Sequence, residues 1–303
     1  MVLAPLNEGI CPACLSNRSK VFVEVPCDRE YFISRTVATT VRRCSKCQSI
    51  FQNPWVDEAE SRSFYPWGYQ NYVSSDVPLI GILFLALQRR MARTFTARHG
   101  TQVRVLDFGC GPGFFLRSLA EQGSRNLTGF DFSEYERDTG RPFTFISDFE
   151  VLSTYRGSFD VIRMSHVIEH LTKVDDTMCF LRRLLTPNGI IVGQTPMADH
   201  YTADLFREYW GPLHYPFHTL IFSRGGLRTA AQRWGLQLKN IDAVMLPTGW
   251  AMSFENIAKG IMGSKRSGRS KSYLIWLLAG LPPAILDKLL RNSAIADFTL
   301  MST

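Results

Sequence analysis

The sequence predicts an α/β protein: a parallel, doubly wound sheet, with a small cysteine-bearing ribbon ahead of it and a helical tail behind. Three observations carry that reading. From Gln102 onward, short β-type runs alternate with helix-type runs, an order that lays parallel strands side by side with crossover helices between them. Within residues 105–113 a buried-type strand runs straight into a glycine-rich turn and then a helix. Near the start, four cysteines form two Cys-x-x-Cys pairs, Cys11/Cys14 and Cys44/Cys47.

Composition sets the bounds. The chain has 303 residues, 45% of them hydrophobic, so it can bury a sizeable core and does not read as disordered. Its opening, MVLAPLNEGI, has neither the basic start nor the long apolar run of a secretory signal. The longest strongly apolar run, YLIWLLAGLPPAIL at 273–286, contains Pro282 and Pro283 and falls short of the roughly 20 residues a spanning helix needs. A cytoplasmic protein is therefore expected. In that reducing setting, paired cysteines point to a metal before a disulfide. The net charge of +7 is uneven: no acid stands between Glu255 and Asp287, where Lys259, Lys265, Arg266, Arg269 and Lys271 do. Two readings of this tail stay open. Residues 263–286 make peripheral contact with the inner face of an anionic membrane, or they form a packed terminal helix pair with a solvated basic loop.

Four sections follow from the patterning. Residues 1–55 hold the ribbon, with Val- and Thr-rich strands at 20–25 and 35–44 between the cysteine pairs. Residues 56–100 form a linker and a helix, PLIGILFLALQRRMARTF, with a basic C-terminal end. The main domain, 101–248, contains the strands VRVLDFG, LTGFDF, FDVIRMS and GIIVGQTP. Between them lie the helices GFFLRSLAEQG, closed by Gly123, and DTMCFLRRLL, ended by Pro187 and Gly189. Residues 249–303 are the basic and apolar helical tail.

The turn VLDFGCGPG is the most informative segment. Gly109, Gly111 and Gly113 let the backbone turn tightly and approach a ligand with no Cβ in the way. Ligands of open α/β sheets sit at the carboxyl ends of the strands, where this turn lies. A dinucleotide fingerprint would need glycine at 114, but Phe114 stands there. Asp107, just before the turn, suits a cationic ligand group better than a pyrophosphate. Asp131, ending the next strand, can accept from both hydroxyls of a ribose, and Phe132 can pack on a base. Asp148 falls where a third strand would end.

In order along the chain, VLDFGCGPG, GFD, SDFE, FDVIRMSHVIEHL and LRRLLTPNGIIVGQTP resemble the motifs of class I S-adenosylmethionine-dependent methyltransferases, over about residues 100–245. The resemblance implies a Rossmann-like sheet of seven strands and S-adenosylmethionine as cofactor. It implies Asp107 and the three glycines for the methionine end, and Asp131 for the ribose. Asp148 with Phe149 would hold the adenine, and Ser165 and His166 would line the floor beneath the sulfonium. The segment after Asp131, SEYERDTGRPF, departs from the family by compressing the usual long helix. Cys110 reads as a small buried residue.

Two Cys-x-x-Cys turns offering four thiolates suit a closed, structural Zn²⁺ site, with no open position for a catalytic water. Cys27 is left over and is expected to pack. The stretch RCSKCQSIFQNPWVDEAESRSFYPWGYQNY resembles the linker of bacterial methyltransferases that begin with a zinc ribbon. Many of those act on sugars or other small molecules, so the resemblance implies a small-molecule or sugar acceptor, lipid-linked glycans included.

Displacement at a sulfonium depends heavily on alignment, with a general base added where the acceptor is a hydroxyl. His166 in SHVIEHL, and His214 and His218 in the aromatic loop GPLHYPFHTLIFS, are the candidate bases. Each can equally be an ordinary pocket or loop residue. His170 reads as a packing or capping residue, and Tyr215 is a weaker candidate. Two rival functions remain. One is an RNA methyltransferase gripping phosphates through ribbon and tail, disfavoured because the basic residues are not interleaved with stacking aromatics. The other is a non-catalytic scaffold, disfavoured by the intact acids and glycine turn.

Overall fold

A computed structural model of the chain describes residues 9–24, 26–65, 78–132, 140–263 and 273–302. The basic run at 265–271 and the segment 133–139 after Phe132 lie outside the described residues.

The N-terminal strands β1 (Ser19–Val23), β2 (Thr40–Cys44) and β3 (Ile50–Asn53) pair antiparallel in sequence order. The cysteine turns sit at the open ends of these strands, with Leu15 and Gln48 in left-handed backbone just past each turn. Helix α1 (Glu58–Ser63) starts at Asp57, whose side chain accepts from the Glu60 N–H and caps the helix. Helix α2 (Pro78–His99) then runs against α3 (Phe114–Glu121), with Phe95 edge-on to Phe115.

The main sheet is built from β4 (Val105–Phe108), β5 (Leu127–Phe130), β6 (Thr144–Ile146), β7 (Phe159–Ser165) and β8 (Leu185–Pro196). Every residue of β4 and β5 is buried, as expected of central parallel strands covered on both faces. Between these strands run α3, α4 (Phe149–Ser153) and α5 (Val174–Leu184). Helix α5 buries Val174, Met178, Leu181 and Leu184, one stripe at helical spacing, and each such side chain contributes about 1.5–3 kcal/mol. Its last turn carries Arg182 and Arg183, the charge that a helix C-terminus favours.

After β8 come α6 (Tyr201–Phe206), the short β9 (Leu220–Ile221), α7 (Arg224–Arg233) and β10 (Leu236–Ala243). Strand β9 joins the N-terminal sheet, pairing Ile50 with Ile221 and Phe51 with Leu220. The ribbon is therefore stitched into the main domain by its backbone.

Helices α8 (Thr248–Met262) and α9 (Tyr273–Leu289) pack together, and β11 (Ile295–Ser302) returns to the sheet. The seven-stranded order is β10-β11-β8-β7-β4-β5-β6, with β11 antiparallel to both neighbours. Here the structure differs from the sequence reading, in which everything after 248 is helical tail. Strand β11 fills the gap between β8 and β10, so the sheet draws on the tail. Its residues, IADFTLMS, alternate inward Ile295, Ala296, Phe298 and Leu300 with exposed or half-buried positions, but are too few to stand out from the sequence around them. Pro282 and Pro283 lie inside α9 rather than ending it. The carbonyls they leave without a helical partner belong to Leu278 and Ala279, on the solvent side. Cys27, expected to pack, is exposed.

Candidate active site

The carboxyl ends of β4, β5, β7 and β8 converge on one edge. At the end of β4 the chain turns through Gly109, Gly111 and Gly113, all in left-handed backbone. A Cβ on Gly109 would stand 2.5 Å from Val167 Cγ2, and one on Gly113 would stand 2.3 Å from Phe143 Cζ. Both positions thus exclude a side chain by conformation and by space. Gly113 also opens α3, whose first N–H groups face the turn.

Asp131, one residue beyond β5, accepts the Gly111 N–H at 2.9 Å through Oδ2, which brings its carboxylate onto the turn. Phe132 projects with 59% of its surface exposed, an unusual state for so large an apolar ring. It lies 5.3 Å from Phe149, which packs in turn on Phe108 and Phe130. Asp148 caps α4, its Oδ1 accepting from Glu150 N at 2.7 Å. Asp107 is buried, and Arg163 Nη1 donates to its Oδ1 at 2.8 Å from the neighbouring strand β7. The Arg163 guanidinium also lies over the Phe115 ring, 4.0 Å from its centroid. Cys110 is buried beneath the turn, and burial pushes its thiol well above the usual range.

These features fit the shape and polarity of S-adenosylmethionine: a glycine cradle, an exposed ring beside a carboxylate, and a helix N-terminus. The exception is Asp107, whose charge is already met by Arg163.

A second group lies next to this cradle, after Ser165 ends β7. His166 has φ +55 and both ring nitrogens engaged: Nδ1 is 3.2 Å from Glu169 Oε1, and Nε2 is 3.1 Å from Gln194 Oε1. Gln194 holds that orientation because its Nε2 donates to Asp297 Oδ1 at 2.8 Å, from β11. Glu169 is fully buried and accepts from Thr195 Oγ1 at 3.0 Å through its other oxygen. Burial works against charge on the imidazole, but the bonds to Glu169 and Gln194 outweigh it and hold its pKa above the ordinary value. Burial likewise opposes ionisation of Glu169, yet the His166 partner holds its pKa low. Each partner thus favours the charged form of the other.

The remaining histidines gather against this pair. His170 Nδ1 is 3.0 Å from Phe217 O, and His218 Nδ1 is 2.8 Å from Pro212 O, so each donates to a carbonyl and presents Nε2 as its lone-pair atom. Their ring centroids are 4.7 Å apart, and His214 lies 5.0 Å from His218. Burial drives His170 down to about 4, and burial with the neighbouring histidines drives His218 well below its ordinary value. Both rings stay neutral. Ligand atoms of Glu169, His170 and His218 also fall within 4.8 Å of one another, a spacing a metal could span. Both Glu169 oxygens are nevertheless already partnered, which favours a proton network. The other histidine of this region, His200, is elsewhere: it caps α6 and contacts Thr202 and Asp287.

The ribbon reaches this cluster. Gln52 Nε2 on β3 donates to Pro216 O at 2.7 Å and His218 O at 2.9 Å. Glu30 Oε2 lies 3.2 Å from His214 Nε2. The loop bearing Glu30 is pinned by buried Asp28, whose carboxylate accepts the N–H groups of Glu30, Tyr31 and Ile33. The structure thus brings His166, His214 and His218 into one network with Glu169 and His170, and that network meets the glycine turn where Val167 packs against Gly109. Sequence reasoning missed Arg163, Gln194, Gln52 and Glu30, whose partners are distant in the chain. Glu169, three residues after His166 in SHVIEHL, was readable as a partner.

In the ribbon, Cys11 Sγ is 3.6 Å from Cys47 Sγ, Cys14 Sγ is 3.5 Å from Cys44 Sγ, and all four sulfurs lie within 4.8 Å of one another. A tetrahedral site with Zn–S bonds of about 2.3 Å has sulfurs about 3.8 Å apart, close to these values. The Lys46 and Cys47 N–H groups point at Cys44 Sγ at 3.4 Å. Without a cation these thiols cannot ionise together. The Cys11 hydrogen bond takes Cys47 down to about 5, burial pushes Cys14 up to about 11, and Cys11 is held higher still.

Fold and cradle define a class I, S-adenosylmethionine-dependent methyltransferase. A family model described as a methyltransferase domain matches residues 80–240, and the chain belongs to that family. Among similar proteins is a malonyl-[acyl-carrier protein] O-methyltransferase from Enterobacter lignolyticus, 28% identical over 184 residues, 58% of this chain and 71% of that protein. Another is a ubiquinone biosynthesis O-methyltransferase from Aromatoleum aromaticum, 30% identical over 113 residues, 34% of this chain and 47% of that protein. A solved structure, the Burkholderia thailandensis 1,6-didemethyltoxoflavin-N1-methyltransferase, superposes with a TM-score of 0.49 at 13% identity, covering 89% of this chain and 98% of that one. Among the described residues no helix is long and apolar enough to cross a membrane.

Proposed function

We propose that this chain methylates a hydroxyl oxygen of a small-molecule acceptor, a class that includes sugars and lipid-linked glycans, with His218 as the proton acceptor. The observation that carries this is the neutral His170–His218 pair, each ring oriented by a backbone carbonyl and within reach of Glu169, the partner of His166 at the end of β7. Oxygen as the methylated atom is supported by the relatives named as O-methyltransferases.

S-adenosylmethionine, when bound, supplies an electrophilic methyl on an already activated leaving group. The protein's part is placement and proton removal. Gly109, Gly111 and Gly113 would seat the methionine end, with Asp107 holding Arg163 beneath it. Asp131 would exchange the Gly111 N–H for the ribose hydroxyls. Phe132 and Phe149 would flank the adenine, with Asp148 at its edge, and Ser165 and His166 would form the floor. His166 is a poor base because both its nitrogens are engaged, one by Glu169 and one by Gln194. It serves instead as a fixed wall. His218 stays unprotonated through the physiological range and has Nε2 to offer. His214, braced by Glu30, would orient the same loop.

We further infer that Cys11, Cys14, Cys44 and Cys47 hold one structural zinc ion, on the strength of the sulfur spacing.

The test is turnover, read as S-adenosylhomocysteine release, with phenol, alcohol and glycoside acceptors. Once an acceptor is found, His218→Gln is expected to lower kcat by about 10²–10⁴-fold with cofactor affinity level. A loss of that size in His166→Gln, with His218→Gln near wild type, would reverse the assignment.

A further inference from the structure

Helix α9 is built the wrong way round for a protein that faces only water. Its inner face buries Tyr273, Gly280, Ala284 and Asp287. Its outer face carries Ile275, Leu278, Leu281, Ile285, Leu286 and Leu289 at helical spacing, every one exposed, with Leu278 at 63% and Leu289 at 74%. Scattered exposed leucines are ordinary, but a continuous stripe along one helix marks a surface made to be covered. The adjoining end of α8 repeats the pattern, with Ile261 at 82% and Met262 at 71%.

Charge says what covers it. The two acids of this region are both turned inward. Asp287 accepts from Trp250 Nε1 and Tyr201 Oη, and Glu255 is buried in α8. From Thr248 to Asn292 no acid is exposed among the described residues, whereas Lys288 and Arg291 are. By sequence, the segment joining the two helices adds Lys265, Arg266, Arg269 and Lys271 and no acid. An apolar face bordered by cations and cleared of carboxylates matches the interface of an anionic phospholipid surface. There, apolar side chains enter the acyl boundary and lysine or arginine meets the phosphates. A soluble protein partner would not require both acids to be withdrawn.

We propose that the outer face of α9, with the end of α8, docks this enzyme on an anionic lipid bilayer. The helix lies in the plane of the interface and does not span it.

Sedimentation of the full chain with vesicles of phosphatidylglycerol and phosphatidylcholine tests this. The chain should partition onto these vesicles, less so at high salt, and much less onto phosphatidylcholine alone. Leu278→Glu combined with Leu289→Glu should lower the partition by at least about tenfold, since two exposed leucines lose their apolar contact. S-adenosylhomocysteine affinity should stay unchanged. The pair Leu278→Gln and Leu289→Gln, which adds no charge, should give the same result if the acidic pair fails to fold. Absence of binding to anionic vesicles at low salt would overturn the proposal, as would equal binding to neutral vesicles. Concentration-dependent dimers that the same substitutions dissociate, with no vesicle binding, would assign the face to a second copy of the chain.

Discussion

Gln52→Leu isolates the link between ribbon and histidine loop. The glutamine is 2% exposed, and its amide nitrogen serves two buried carbonyls, Pro216 O at 2.7 Å and His218 O at 2.9 Å, while its oxygen lies 3.4 Å from Arg35 Nη1. Leucine has a similar volume and no polar atom. Each buried carbonyl left without a donor costs about 1–3 kcal/mol, so the two together cost about 2–4 kcal/mol after some relaxation. That is within the 5–15 kcal/mol typical of a domain, and the protein should stay folded. The loop from Gly211 to Thr219 carries His214 and His218 and none of the residues proposed to hold the cofactor. Turnover should therefore fall by about 10–100-fold, the range that follows when a catalytic group shifts by around 1 Å. Urea denaturation measures the first quantity. Steady-state turnover beside calorimetric titration with S-adenosylhomocysteine measures the second. Cofactor affinity falling in step with turnover would refute the reasoning, since the damage would then lie in the cradle. So would a stability change under about 1 kcal/mol with normal turnover.

Other outcomes follow from the same structure. Asp131→Ala should weaken S-adenosylhomocysteine binding by about 1–3 kcal/mol in calorimetry, because a charged acceptor at the turn is lost; unchanged affinity would remove Asp131 from the ribose. Metal analysis should find about one zinc per chain, and Cys44→Ser should lose it and loosen the ribbon, read as faster proteolysis of the N-terminal segment. A metal-free wild-type protein would sink that assignment. Stability should fall as the pH drops from about 6.5 to 4. In this window the unfolded chain protonates His170 while the folded chain, with His170 held near 4, does not. The slope for one such group is about 1.4 kcal/mol per pH unit. His170→Gln should flatten that part of the profile in pH-dependent urea melts, and an unaltered slope would contradict the buried neutral ring. His166 works in the opposite sense. Its raised pKa gives stability that is complete below about 6.5 and lost as pH rises through the folded value.

Much of the fold was legible because its signals are local. The fully buried strands β4 and β5, the glycines that follow, and the acids at the strand ends each sit within a few residues of one another, and geometry follows from spacing. The two cysteine pairs were equally readable. What escaped was long-range. Arg163 pairs with Asp107 across 56 residues, and nothing in FDVIRMS says which acid its guanidinium meets. Gln52 and Glu30 look like ordinary ribbon residues; Gln52 is carried to the histidine loop by the β3–β9 pairing, and Glu30 by the loop that Asp28 pins. His170, read as a packing residue, belongs to the cluster, because its role depends on His218, which lies on another loop. The seventh strand was hidden for a related reason: eight residues with modest alternation gain their meaning from the gap they fill.

That gap has a consequence for the order of assembly. Strand β10 precedes β11 in the chain but lies outside it in the sheet, with β11 paired to β8 on one side and to β10 on the other. During synthesis from the N-terminus, β10 is finished while its place beside the sheet does not yet exist. The backbone of β8 stays open along one edge until the ribosome has run through both α8 and α9. For that interval the nascent chain carries the unpaired β10, the open edge of β8 and an apolar helix pair. Such exposed edges are the features that recruit chaperones or start aggregation. Closing the sheet is therefore a late event that must draw β11 in between two strands already made.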